Sequence, residues 1–275
     1  MNPSEQPTAV PKTDLLTVAA ISIVVSVLAS VLHEGLGHGG ACLLVGGKPL
    51  QLSSMDFDSD TSGLPGWASR VISAGGTVVN LIAAAIALAA MRRTRSASPH
   101  FRYALWLFAT VNLLQGTGYF LYSGVAGIGD WVAVIRGLNP AWLWRVVLAV
   151  VGGVTYWLSV WLALIQLGPF IGADPTERLR RACALTLIPY FTGAALSIGA
   201  GLLKPHGLLL VAISAAAASL GGNSGFAWGP QLLHGDFIPP SRDGPIPIAR
   251  SWPWIILGVA VAIPFVAVLG PGIRF

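Results

Sequence analysis

The sequence predicts an all-α protein that crosses a membrane several times. Hydrophobic residues make up 54% of the 275 residues and charged residues only 10%, whereas an ordinary soluble domain has about 25% charged residues. The mean hydropathy is +0.72. So few charged groups could not cover a soluble core with polar surface. The composition therefore excludes a soluble globular enzyme, a disordered chain and a disulfide-stapled secreted domain.

Uncharged stretches that are long enough, or nearly long enough, to cross a bilayer recur along the chain. A spanning helix needs about 20 residues, and its internal hydrogen bonds satisfy the backbone where no water is present. We therefore predict about six or seven transmembrane helices, within residues 15–32, 71–91, 103–123, 146–168, 182–203, 207–220 and 254–269.

The segments outside these spans differ in character. Residues 1–14 are polar and contain prolines, which predicts a disordered lead. The apolar run after them has no small-residue cleavage site, so it is a retained span and not a removed signal. Residues 48–57, KPLQLSSMDF, alternate loosely and predict a short strand or hairpin beside the membrane. Residues 222–250 are rich in Gly, Pro and Trp, which predicts a long loop.

The net charge of +5 comes from arginines in short loops. We interpret them as topology signals, which puts them on the cytoplasmic side, and we expect no nucleic-acid partner. The N-terminus would then be inside, and the loops after the first and third spans outside. The clusters are Arg92, Arg93, Arg95 and Arg102, and Arg178, Arg180 and Arg181.

The first span ends in three ionisable side chains within six residues, His33, Glu34 and His38. Each costs roughly 2.5–3.5 kcal/mol at membrane depth on insertion scales. A divalent metal ion would justify that cost, because neutral imidazoles bind zinc and a neighbouring glutamate can take a proton from the attacking water. The two cysteines, Cys42 and Cys183, form neither a disulfide framework nor a metal motif.

The spacing of the two histidines is unusual for such a site. The zinc-protease helix motif H-E-x-x-H has histidines at i and i+4, whereas His33 and His38 are at i and i+5. On a regular α-helix these rings would lie roughly 140° apart. A π-helical turn would bring them onto one face. Alternatively Glu34 and His38, at i and i+4, form the metal-binding pair on an undistorted helix.

A catalytic zinc site needs a third protein ligand. Besides Glu34, the chain has only Glu5 in the N-terminal lead and Glu177 in a loop on the opposite side. Asp130 follows an uncharged stretch and lies just past the third span. With either orientation it is on the same side of the membrane as the end of the first span, so it is the best candidate for the third ligand.

These residues resemble the site-2 protease family of intramembrane zinc metalloproteases. Three features carry the resemblance: the H-E…H motif in the first span, the sequence GGTVVNL that ends at Asn80-Leu81, and the late Asp130. It covers residues 15–135, a metalloprotease-like membrane core, and leaves residues 136–275 as additional helices and loops. The motif of this chain has one residue more than the family pattern.

The resemblance implies an enzyme that hydrolyses peptide bonds of membrane-protein substrates in or near the bilayer. His33, His38 and Asp130 would hold Zn²⁺, and Glu34 would transfer the proton. Asn80, with Asn112, would hydrogen-bond the substrate backbone. The expected location is the plasma membrane of a prokaryote, with the lipid bilayer as the surrounding partner.

Two other functions fit the same sequence. One is a non-catalytic multi-pass scaffold or transporter with a degenerate metal site. The other is a rhomboid-like serine protease, since residues 222–225 read GNSG and Ser224 would be its nucleophile, with His206 or His234 as the base.

Overall fold

The structure, a computed structural model, describes residues 13–94, 96–204, 216–234, 238 and 245–275. Nearly all of the predicted N-terminal lead lies outside the described residues. So does most of the predicted span at residues 207–220.

The fold is all-α and polytopic, as predicted. Within the described residues, five helices are long and apolar enough to cross a membrane. Their outer faces carry large exposed apolar side chains, such as Val150, Val154 and Trp157, as expected of surfaces in contact with lipid. The five are Leu15–Leu44, Gly66–Arg93, Ala141–Ile171, Pro175–Gly201 and Trp252–Leu269.

The elements follow one another with short connections. The helical ones are α1 (Leu15–Val31), a π-helix (Leu32–Gly39), α2 (Gly40–Leu44), α3 (Gly66–Arg93), α4 (Pro99–Val125), α5 (Asp130–Ile135), α6 (Ala141–Ile171), α7 (Pro175–Gly201), a π-helix (Ala217–Gly221), α8 (Gly225–Trp228), a 3₁₀-helix (Gly229–His234), α9 (Trp252–Pro264) and a last π-helix (Phe265–Leu269).

Helix α4 forms the centre of the bundle and packs against α1, α3 and α6. It is as long as the spanning helices, but Asn112 and Gln115 lower its hydropathy, and it is not among the five apolar helices. Its aromatic residues are buried with their polar atoms satisfied. The Trp106 indole donates to the Ala163 carbonyl at 2.8 Å, and the Tyr103 hydroxyl donates to the Leu185 carbonyl at 2.8 Å. These bonds fix α6 and α7 around α4.

The predicted hairpin after the first helix is present. Strands β1 (Lys48–Leu52) and β2 (Phe57–Asp60) pair antiparallel. A third strand, β3 (Ile273–Arg274), pairs with the other edge of β1, and the sequence gives no signal for it because it is only two residues long. The sheet therefore joins the C-terminal residues to the connection between α2 and α3.

The turn of this hairpin is fastened to three helical segments. The Ser30 hydroxyl of α1 donates to the Ser54 carbonyl at 2.7 Å. The Ser54 amide donates to the Leu269 carbonyl at 2.7 Å. Lys204, just after α7, forms an ion pair with Asp56. The expected solvated acidic loop is therefore a turn held against the bundle.

The loop predicted at residues 222–250 is partly helical, which corrects that prediction. Its described part contains α8 and the 3₁₀-helix. Gly225 opens α8, and a Cβ atom placed on it would lie 2.6 Å from a methyl group of Val160 on α6. The glycines that suggested a loop instead permit close packing of a short helix against α6.

The contact between α4 and α6 depends on glycine. A Cβ atom on Gly152 would overlap the backbone of Leu121, whereas a Cβ atom on the adjacent Gly153 would meet nothing within 4 Å. Overpacking of a tight contact costs typically 1–3 kcal/mol. We expect Gly152→Ala to lower the unfolding temperature in detergent and Gly153→Ala to leave it unchanged. Equal unfolding temperatures for the two variants would contradict this helix contact.

Candidate metal centre

Two histidines and one aspartate converge at the end of the first helix. The Nε2 atoms of His33 and His38 are 3.2 Å apart. Oδ2 of Asp130 lies 3.3 Å from His33 Nε2 and 3.4 Å from His38 Nε2. Three ligands that the sequence predicts are thus brought together from positions almost a hundred residues apart in the chain, and the group could hold a metal ion.

The triangle of donor atoms has a size that suits an ion. Its sides average about 3.3 Å. A triangle of that size has its centre about 1.9 Å from each corner, since 3.3 divided by √3 is about 1.9. An ion slightly out of the plane would reach the nitrogen and oxygen distances of roughly 2.0–2.2 Å that zinc prefers. The residues present therefore fit a metal ion.

The predicted π-helical turn is what brings the two imidazoles together. Residues Leu32–Gly39 form a π-helix, in which the Gly40 amide donates to the Gly35 carbonyl. A π-helical turn holds one residue more than an α-helical turn, so positions i and i+5 share a face. Glu34 lies beside the group of three and does not belong to it. The alternative with Glu34 and His38 as the pair is therefore not the arrangement in the structure.

The two rings are held by different means. His38 Nδ1 lies 2.7 Å from the Ile72 carbonyl of α3. The carbonyl can only accept, so Nδ1 carries the hydrogen and Nε2 is free for a metal, as is usual for histidine ligands. The His33 ring instead stacks on Tyr119 of α4, with centroids 4.9 Å apart and an angle of 14° between the planes. The buried His33 Nδ1 has no hydrogen-bond partner in the described part of the chain.

Glycines allow α3 to pass directly against the π-helix. A Cβ atom on Gly37 would lie 2.6 Å from the Cα atom of Gly76. A Cβ atom on Gly76 would lie 2.5 Å from Cε1 of His33. The His33 ring is thus confined between Gly76 and Tyr119. The glycines of the GGTVVNL sequence keep this ring in place, which is a role that the sequence alone does not reveal.

Asp130 is positioned by the residues around it. Gly129 has a φ of 93°, a conformation that favours glycine, and turns the chain into α5. The Trp131 indole donates to the Thr77 hydroxyl at 3.0 Å and fixes α5 against α3. Burial would raise the pKa of the Asp130 carboxyl, but hydrogen bonds from the rings of His33 and His38 hold that pKa well below its usual value. The carboxylate is therefore ionised and available as a ligand.

Two cavities meet at the three ligands. The first, of about 250 Å³, lies between α1, α4 and α7 and is lined by small and polar side chains. The second, of about 360 Å³, lies against the hairpin and includes Asp56 and Asp58 in its wall. Glu34, Met55 and Tyr119 line both cavities. Polar residues of the first cavity are Ser26, Ser30, Gln115, Ser197, Ser219 and Asn223.

The predicted substrate-binding asparagines lie in the helix packing. Asn80 and Asn112 are fully buried. The Asn80 amide is 3.5 Å from Oε1 of Gln115, and the Asn112 amide donates to the Phe108 carbonyl at 2.8 Å. The cavity wall contains Gln115 and neither asparagine. A substrate contact by Asn80 or Asn112 stays a prediction.

Tyr119 is the site residue that sequence reasoning missed. Its ring covers His33, and its side chain lines both cavities. One signal was present in the sequence. Asn112, Gln115 and Tyr119 follow the helical spacing i, i+3, i+7, which places them on one face of α4.

The serine that suggested a rhomboid-like site has a different partner. Ser224 Oγ lies 3.1 Å from the Tyr156 hydroxyl. His234 is exposed, and its Nδ1 lies 3.1 Å from the Gln231 carbonyl. His206 lies outside the described residues. A role of Ser224 as a nucleophile stays a prediction.

Comparison with known proteins identifies no relative. No protein-family model matches the chain, and neither a curated protein nor a solved structure matches it. The function must therefore be argued from the residues of the centre.

The metal-binding capacity of the centre can be measured directly. Wild-type protein, purified in detergent and dialysed against Zn²⁺, should contain about one zinc per chain by mass spectrometry. We expect His38→Ala to lose it, because two remaining ligands hold the ion poorly. His100→Ala is the matched control, since that ring contacts the Ala249 carbonyl away from the centre. Wild-type protein without zinc would contradict a metal centre.

Gly76 should control metal affinity without touching the ion. In Gly76→Ala, the added methyl group would displace the His33 ring. We expect weaker zinc affinity in a competitive chelator titration, by 10–100-fold, the range found for changes in the residues that support metal ligands. Gly199→Ala is the control, because a Cβ atom there meets nothing within 4 Å. Unchanged affinity of Gly76→Ala would show that the ring is not confined by Gly76.

Proposed function

We propose that this chain is an intramembrane zinc metalloprotease, which hydrolyses peptide bonds of membrane-protein substrates in or near the bilayer. The observation that carries the proposal is the triangle of His33, His38 and Asp130 donor atoms with sides of 3.2–3.4 Å. Glu34 lies beside this triangle, at the meeting point of two cavities. The proposed location is the plasma membrane of a prokaryote.

The ligand set supports zinc as the ion. Two imidazoles and one carboxylate form a three-residue set with room for one further ligand, as in catalytic zinc sites. When bound, Zn²⁺ polarises a carbonyl group and lowers the pKa of water. His33, His38 and Asp130 would hold it.

Glu34 is the residue of the chain that would move the proton. Its carboxylate is buried beside the ligands and borders both cavities. It would accept a proton from the attacking water and pass it to the nitrogen of the peptide bond that breaks. General acid–base transfer of this kind contributes typically 10²–10⁴-fold in rate.

The first cavity supports a substrate that is a peptide segment. An intact transmembrane helix uses its carbonyl groups in internal hydrogen bonds, so the segment must unwind before a carbonyl can be attacked. The side chains of Ser26, Ser30, Ser197 and Gln115 line this cavity. Their hydroxyl and amide groups would satisfy the backbone of an unwound segment. The second cavity would supply water.

The alternative is a non-catalytic membrane scaffold. It is favoured by one observation, since the rings of His33 and His38 and the Asp130 carboxylate lie within 3.4 Å of one another and would link α5 to the π-helix without any reaction. In that case the centre would serve only to stabilise the fold.

Substitution of Glu34 separates the two functions. We expect Glu34→Gln to keep one zinc per chain and to lose at least about 10²-fold in cleavage of a transmembrane-helix reporter in liposomes, because the amide cannot accept the proton. The matched control is Glu177→Gln, since Glu177 pairs with Arg180 at the start of α7.

The chelator 1,10-phenanthroline should abolish cleavage by the wild type, and Zn²⁺ should restore it. Cleavage by Glu34→Gln at the wild-type rate would refute the assigned role of Glu34. A zinc-loaded wild type that cleaves no membrane-helix reporter would favour the scaffold.

A further inference from the structure

Tyr119 is a polar group at the centre that the proposed reaction has not yet used. Its side chain borders both cavities, together with Glu34 and Asp130. The phenol interacts electrostatically with both of those carboxylates. It therefore lies where a peptide carbonyl would have to sit during attack.

The ring of Tyr119 is fixed from two sides. His33 stacks on it at 4.9 Å between ring centroids. On α4's other flank Gly129 approaches so closely that a Cβ atom there would lie 3.2 Å from the Tyr119 ring. A hydroxyl group on a ring held this way is pre-oriented and needs no reorganisation when charge develops near it.

The hydroxyl of Tyr119 also differs from those of two other buried tyrosines. The Tyr103 hydroxyl donates to the Leu185 carbonyl, and the Tyr156 hydroxyl donates to the Gly222 carbonyl, each at 2.8 Å. Within the described part of the chain, no hydrogen bond reaches the Tyr119 hydroxyl. A buried tyrosine hydroxyl usually has a partner, so a partner from a ligand is the simplest account.

Peptide hydrolysis supplies such a partner. When water attacks a carbonyl carbon, the carbonyl oxygen becomes negative, and a fixed donor lowers the energy of that state more than it stabilises the bound substrate. We propose that the Tyr119 hydroxyl donates a hydrogen bond to the carbonyl oxygen of the scissile peptide as it becomes negative. Tyr119 is then a catalytic residue, and this assignment rests on the proposed protease function.

The test replaces the hydroxyl and keeps the ring. Tyr119→Phe leaves the stacking on His33 intact, so zinc content and affinity should match those of the wild type. Cleavage of the membrane-helix reporter should fall 10²–10³-fold, the usual effect of losing one such donor. The loss should appear in kcat with KM nearly unchanged. Tyr103→Phe is the matched control, because it makes the same change on the same helix away from both cavities.

A second readout does not depend on proteolysis. The full-length protein is loaded with Co²⁺ and titrated with acetohydroxamate, whose oxygen atoms bind at the ion, while visible absorption is recorded. We expect Tyr119→Phe to bind acetohydroxamate at least 10-fold more weakly and Tyr103→Phe to bind it like the wild type.

Each outcome decides the assignment. Wild-type turnover and wild-type hydroxamate affinity in Tyr119→Phe would overturn it. Loss of Co²⁺ affinity together with activity would also overturn it, since the residue would then only support His33. If the wild type cleaves no reporter, the protease function fails, and the hydroxamate titration alone decides whether the hydroxyl donates to an oxygen at the centre.

Discussion

The π-helical register of Leu32–Gly39 is the constraint on which the centre depends. On a regular α-helix the rings of His33 and His38 would diverge by roughly 140°, and no single ion could contact both. With one extra residue in the turn, their Nε2 atoms lie 3.2 Å apart. A π-helix has poorer internal geometry than an α-helix and is rare outside functional sites. Packing must therefore supply what the backbone gives up, and α3 supplies it through the Ile72 carbonyl and the Gly37–Gly76 contact.

The rest of the bundle serves to bring Asp130 and Tyr119 to this turn. Both lie at the end of α4, the helix in the centre of the bundle. Tight contact with α6 at Gly152, and hydrogen bonds from Trp106 and Tyr103, fix that helix in place. A charged side chain at membrane depth is costly unless it is paired. The Asp130 carboxylate meets the two rings, so the cost of each group is offset by the others.

Much of this arrangement could be predicted from the sequence. Composition and apolar run lengths predict the helices, since a spanning helix must satisfy its own backbone. The i, i+5 spacing of His33 and His38 predicts the π-helical turn, because a shared metal requires it. The pairing of β3 and the contact of Gly76 with His33 could not be predicted, since each depends on the packing of segments far apart in the chain. The role of Asn80 was predicted by resemblance, whereas the cavity wall holds Gln115.

The hydrogen-bond chemistry of the three ligands favours a cation between them. His38 donates through Nδ1 to the Ile72 carbonyl, so a neutral His38 ring presents only the lone pair of Nε2. That lone pair faces His33 Nε2 at 3.2 Å and the Asp130 carboxylate at 3.4 Å, and the carboxylate has only lone pairs to offer. Three acceptors at this distance repel one another unless a positive charge lies among them. Protons on the rings would supply it, and a divalent ion would supply it for all three donors at once. The geometry is therefore that of a cation site first, and the reaction proposed for it follows from Glu34 and Tyr119 lying at its edge.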